Sequence, residues 1–220
     1  MPNMSGNFDT YSEEKSAVRH YLSLMGYNPL ECSVTKFGGD NEQDTNVMSA
    51  TDITVKLPDN RTLLIEVKQE SYSRFSRWGQ LGFDLISVFQ FKQGMHFDSK
   101  PHYPRDYDSF IATVDIERPG FKWGKLAYSN ADIWLFYVKD PKGGYYFCEG
   151  YDYAKMKNDR IITYLRRMCQ FAVNSKNSNQ MSHRDTWQSA TFFVNPSQVE
   201  QYKITPETFG EINNFTSLAT

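Results

Sequence analysis

The stretch "TDITVKLPDNRTLLIEVK", residues 51–68, restricts the possible folds more than any other part of the chain. Two runs rich in β-branched and aliphatic residues flank Pro58, Asp59 and Asn60, residue types that favour tight turns. The pattern predicts a β-hairpin. If Pro58 to Asn60 form a three-residue loop, Leu57 pairs with Arg61 and, counting outward, Asp52 lies opposite Glu66. A two-residue loop shifts this register by one, and both registers are open at this stage. In the three-residue register Lys68 shares the side of Glu66, so three charges converge.

Two carboxylates facing each other across a hairpin repel and call for a compensating cation. Mg²⁺ or Mn²⁺ suits the position, because hard divalent ions take oxygen ligands and are often held by only two carboxylates plus water and substrate phosphate. A lysine beside them can orient or activate the attacking water, or stabilise charge on phosphorus. The chemistry indicated is metal-assisted phosphodiester hydrolysis. A purely structural use of the same residues has Asp52 capping the strand and Lys68 pairing with Glu66 at a solvated edge.

The chain has 220 residues, enough for one sizeable α/β domain and short for two, so a single domain is expected. Its core is expected from about residue 12 to 140, with 92–130 as a loop-rich insertion and 150–220 as a C-terminal elaboration of helix, loop and strand. Hydrophobic residues at 40% and charged residues at 23% argue against disorder. No apolar window is long enough to cross a bilayer, and the start lacks a secretory pattern, so no membrane association and a cytoplasmic location are expected. Cys32, Cys148 and Cys169 are widely spaced, which suggests reduced thiols and neither disulfides nor a zinc site. A net charge of −2 means that a polyanionic partner needs a local basic surface or a bound metal.

Thr10 followed by Glu13 is a capping-box signature, and Val18, Tyr21, Leu22 and Met25 continue at helical spacing, predicting a helix from about Ser12 to Met25. The stripe extended back one turn passes through Glu14, which therefore leans toward whatever the helix packs on. After the hairpin, Phe75, Trp78, Leu81, Leu85 and Phe89 repeat at helical spacing and predict a second long helix. "FIATVDIE" and "ADIWLFYV" read as strands, the latter buried on both faces, and "KDPKGGYYFC" continues it as a hairpin. "NDRIITYLRRMCQFAV" reads as a helix, "SKNSNQMSHRDTW" as a polar loop bearing Lys176, His183 and Arg184, and the C-terminal stretch as a strand with short helices.

An acid opening one strand and Glu-x-Lys closing the strand hairpinned to it resembles the PD-(D/E)XK nuclease superfamily, with Asp52, Glu66, Val67 and Lys68 filling the motif. Glu13-Glu14-Lys15, Asp98-Ser99-Lys100 and Asp140-Pro141-Lys142 also satisfy the bare text. Only Glu66-Val67-Lys68 ends an apolar run preceded by a strand that begins with an acid. The resemblance covers about Ser12 to Gln90. It implies an α/β, restriction-endonuclease-like fold: a central mixed β-sheet flanked by helices, with an αβββαβ core. It also implies metal held by Asp52, Glu66 and Val67, and catalysis by Asp52, Glu66 and Lys68, with Glu14 matching a further glutamate that the family often adds from its first helix. Thr51 stands where the family usually has proline, a position variable in the family.

The activity implied is that of a Mg²⁺-dependent nuclease, most simply a DNA endonuclease, with RNA open as a substrate. Exonuclease-type members often carry Gln and, four residues later, Tyr on the helix after the motif; Gln80 is followed by Asp84 here. Arg74, Arg77 and Gln80 on that helix, and Lys100, His102 and Arg105 in the loop of residues 92–109, are candidate nucleic-acid contacts. The alternative is a non-catalytic nucleic-acid-binding or protein-interaction module on the same scaffold. A homo-oligomer is compatible with the sequence.

Overall fold

The structure is a computed structural model that describes residues 5–36, 52–95, 107–168, 170–177 and 186–212. Within them the chain divides into two compact units, where length alone argues for one domain. The first is built from Met1–Trp78, Ser129–Asp159 and Val199–Thr220, the second from Gly79–Tyr128 and Arg160–Gln198.

In the first unit, helix α1 (Ser5–Leu24) is followed by β1 (Ser33–Lys36), β2 (Ile53–Lys56), β3 (Thr62–Gln69) and α2 (Tyr72–Trp78). β6 (Ile133–Lys139), β7 (Tyr145–Asp152) and α5 (Tyr153–Asn158) follow the first stretch of the second unit, and α7 (Pro206–Phe209) follows its second stretch. The sheet is mixed, in the order β1-β2-β3-β6-β7. β3 runs antiparallel to β2 and parallel to β6, and β7 antiparallel to β6.

Side chains alternate along β3, and that alternation sorts the sheet into two faces. Leu63, Ile65 and Val67 join Ile53, Val55, Leu135 and Tyr137 against Ala17, Val18, Tyr21 and Leu22 of α1, forming the main apolar core. Glu66 and Lys68 stand on the reverse face, in register with Trp134 and Phe136 of β6. That face is covered by α2, through Phe75 against Phe147, and by α5, through Tyr153 stacked on Trp134. β6 is buried on both faces from Ile133 to Val138, as its nearly all-apolar sequence predicts.

The second unit contains β4 (Leu81–Phe89), α3 (Tyr107–Thr113), β5 (Lys122–Trp123), α4 (Lys125–Tyr128), α6 (Ile161–Met168), β8 (Gln170–Asn177) and β9 (Thr186–Val194). Its four-stranded sheet has the order β5-β4-β9-β8.

Several sequence expectations are corrected here. The first helix begins at Ser5, not near Ser12, and ends at Leu24. The long helix expected through Phe89 stops at Trp78: Gly79 takes φ 59°, and residues 81–89 form β4. Leu81, Leu85 and Phe89 are spaced by four, a multiple of both the strand period and, nearly, the helix turn, so their spacing could not discriminate. The strand expected at residues 110–117 is helix α3 over its first part, with only a single bridge from Phe91 to Val114. The helix expected through Val173 ends at Met168, and Gln170 begins β8. Lys176 lies on β8, whereas His183 and Arg184, with Lys100, His102 and Arg105, lie outside the described residues.

Tyr21 crosses the core of the first unit to reach Gly150 of β7. A Cβ at Gly150 would meet the Tyr21 hydroxyl oxygen at 2.3 Å and its ring carbon Cζ at 2.5 Å. Tyr21 is fully buried and cannot swing away, so the glycine is needed for space rather than for its backbone freedom. Gly150→Ala is expected to destabilise the protein by about 1–3 kcal/mol in chemical denaturation. Tyr21→Phe, which removes the oxygen nearest that Cβ, is expected to recover part of the loss in the double variant.

Candidate active site

The hairpin turn decides the register that the sequence left open. Leu57 N–H donates to the Arg61 carbonyl at 2.8 Å, Asn60 N–H donates to the Leu57 carbonyl at 3.0 Å, and Asn60 sits in the left-handed region at φ 69°. This is a three-residue loop closed by a residue type that tolerates positive φ. Arg61 clamps it. Its backbone N–H and Nε donate to the Asp59 carboxylate, and its other guanidinium nitrogens donate to the Tyr27 hydroxyl and to the carbonyls of Phe209 and Gly210.

The ladder runs from Lys56↔Thr62 to Ile53↔Ile65, so the next position outward sets Asp52 against Glu66, as the three-residue register predicts. At that point β2 leaves the sheet. Asp52 N–H bends to the Ile65 carbonyl at 3.3 Å, and Asp52 Oδ2 accepts the Val67 N–H at 3.0 Å. The carboxylate thereby satisfies a backbone donor on the edge of β3 where strand pairing has ended.

On the opposite edge of β3, Asp132 acts in the same way just before β6. Its Oδ2 accepts the Leu64 N–H at 2.7 Å while its own N–H donates to the Leu64 carbonyl at 2.8 Å. Sequence reasoning missed Asp132, although an acid immediately before the apolar run "IWLFYV" parallels Asp52 before "ITVKL".

Glu66 has no solvent exposure, whereas the Lys68 side chain is 21% exposed, with Nζ 3.6 Å from Glu66 Oε1. Burying a carboxylate is costly unless cations or donors reach it, and Lys68 links the buried acid to the surface. Trp134 and Tyr153 line the same face. Burial, and then the charge of Glu66, push the Tyr153 phenol well above its ordinary value, so the carboxylate bears electrostatically on that ring. Glu149, in register with Phe136 and on the same face, is engaged by Lys203 at 2.6 Å and by the Tyr151 hydroxyl at 2.9 Å.

Glu14 is half-buried on α1 and bears on Tyr137, whose phenol is raised first by burial and then by Glu13 and Glu14. Tyr137 belongs to the core against α1, so Glu14 acts on the sheet from the face opposite to Glu66 and Lys68. Arg74 is ion-paired with Glu70 one helical turn away, a partner that the sequence did not suggest. Arg77 lies over the Trp78 ring at 4.9 Å, and Gln80 is half-buried in the connection after α2 rather than on a helix. Among the described residues no group of three or more His, Cys, Asp or Glu side chains is arranged to hold a metal ion, and no helix is long and apolar enough to cross a membrane. No family model, curated protein or solved structure matches the chain.

The bond from Val67 gives Asp52 a structural role separable from any metal. Asp52→Ala is expected to lower stability by about 1 kcal/mol, because a backbone donor loses its acceptor. Asp52→Asn retains a side-chain oxygen and is expected to melt close to wild type, with both compared by thermal denaturation in EDTA.

Proposed function

We propose that the chain is a Mg²⁺-dependent nuclease of the restriction-endonuclease-like type that hydrolyses phosphodiester bonds, with DNA as its substrate. The observation that carries this reading is the hairpin register, which sets Asp52 against Glu66 and leaves Lys68 in contact with the buried acid. The order α1-β1-β2-β3-α2-β6 in the first unit supports it, since an αβββαβ core is what the motif implies.

The donors fit a hard divalent cation. Asp52 and Glu66 offer carboxylate oxygens near one strand end, and the Val67 carbonyl lies between Glu66 and Lys68 in the motif. Bound there, Mg²⁺ or Mn²⁺ would lower the pKa of a water ligand and offset negative charge on the phosphate. Glu66, held without exposure against Trp134 and Tyr153, keeps its carboxylate in a low-dielectric setting where attraction to a cation is strong. Asp52 is anchored by the Val67 N–H, so its orientation is preset before substrate arrives. Lys68, partly exposed, orients the attacking water or donates to a phosphoryl oxygen as charge develops there. Glu14, on the other face, is not needed for this set.

Lys68→Ala separates chemistry from affinity more cleanly than loss of an acid. Cleavage of supercoiled plasmid in Mg²⁺ is expected to fall by about a hundredfold or more, while DNA affinity measured in Ca²⁺ changes little. Unchanged cleavage by the variant, or no metal-dependent cleavage of any nucleic acid by wild type, would favour a non-catalytic binding module in which Asp52 and Lys68 serve the hairpin alone.

A further inference from the structure

Two tyrosines on the Glu66–Lys68 face are partly exposed to solvent. Tyr72 opens α2 and is 38% exposed, and Tyr146, near the start of β7, is 50% exposed. Their rings meet edge to face at 5.1 Å. Tyr146 also meets the buried Phe75 edge to face, and Phe75 packs on the half-buried Phe147, so the pair rests on an aromatic base.

The placement of Tyr146 requires an irregular strand. β6 pairs Val138 with Phe147 and Lys139 with Tyr145, leaving Tyr146 as an extra residue in a bulge. Without the bulge, alternation would turn Tyr146 toward α1. With it, Tyr145 goes to the α1 face, where it stacks on His20 and donates to Ser16 Oγ, while Tyr146 and Phe147 both reach α2. Bulges re-aim side chains and are frequent beside active sites. Here one sends a large, half-exposed aromatic ring to the end of the sheet at which β3 delivers Lys68.

We propose that Tyr72 and Tyr146 form a stacking platform for unpaired bases of a nucleic-acid strand whose backbone runs past Lys68. The occupant follows from chemistry. Partly exposed aromatic rings on the sheet face that also carries a partly exposed lysine match a polyanion with its own π-faces, and unpaired bases can leave their stack to lie on such rings. The inference rests on the nuclease reading and narrows its substrate to DNA with a single-stranded segment at the cleavage point.

The full chain, in Ca²⁺, is titrated into a labelled single-stranded oligo-dT and into a duplex of equal length, with anisotropy as the readout. Tyr72→Ala and Tyr146→Ala are each expected to weaken single-strand binding by about tenfold and duplex binding less than twofold, while Tyr146→Phe, which keeps the ring, retains wild-type affinity. Thermal melts exclude unfolded variants, and having two positions keeps the test decisive if one variant does not fold. Unchanged affinities, or equal losses on both ligands, overturn the platform, as does a tyrosine variant whose only effect is to dissociate a dimer of this chain in sedimentation. Selective single-strand binding by wild type without any Mg²⁺-dependent cleavage overturns the nuclease reading and leaves the platform standing. Cleavage that persists while the tyrosine variants bind normally overturns the platform alone.

Discussion

The turn between β2 and β3 governs the placement of Glu66 and Lys68 on the reverse face of the sheet. A strand has a period of two, so a slip of one residue would exchange Glu66 and Lys68 with Ile65 and Val67, putting charges into the α1 core and aliphatic groups on the outer face. The three-residue loop, with Asn60 at positive φ and Arg61 tied to Asp59, Tyr27, Phe209 and Gly210, prevents that slip. Core and candidate site are therefore set by one local geometry. The aliphatic residues that bury against α1 hold the register from one side, and the turn holds it from its end.

β3 is flanked by two carboxylates doing similar structural work at different heights. Asp52 and Asp132 each stand at the start of a neighbouring strand and accept a β3 backbone N–H, from Val67 and Leu64 respectively. Such acids keep the central strand satisfied where its partners begin or end. They differ in setting. Asp132 is nearly fully buried and bonded through both its side chain and its N–H to Leu64, which suits a structural part. Asp52 is half-buried next to the Glu66 and Lys68 positions, which is why the proposed chemical role falls to it.

The misread segments share a physical cause. Residues 81–89 carry apolar groups at a spacing compatible with both helix and strand, and the choice fell to strand because β9 offers a paired edge along nearly the whole length of β4. Residues 170–173 likewise joined a ladder with β9 instead of extending α6. β9 lies about a hundred residues beyond β4 and about twenty beyond residues 170–173, so in both places a hydrogen-bonding partner outside the local window overrides local propensity. The same blindness hid the division into two units, since the second is assembled from two stretches separated by β6 and β7.

The sequence by itself determined the hairpin, the inward set of aliphatic residues on β2 and β3, the doubly buried β6 and the motif Asp52, Glu66, Val67, Lys68, because each is encoded within a few residues by alternation and turn chemistry. Only the tertiary structure decided which register the turn adopts, that Asp52 closes the edge of β3, that Arg74 is ion-paired with Glu70, and that Glu14 acts on the sheet from the opposite face. It also decided that a bulge turns Tyr146 toward Tyr72. Each of these depends on which groups meet across the sheet, and those meetings are set by packing between elements whose positions along the chain carry no record of one another.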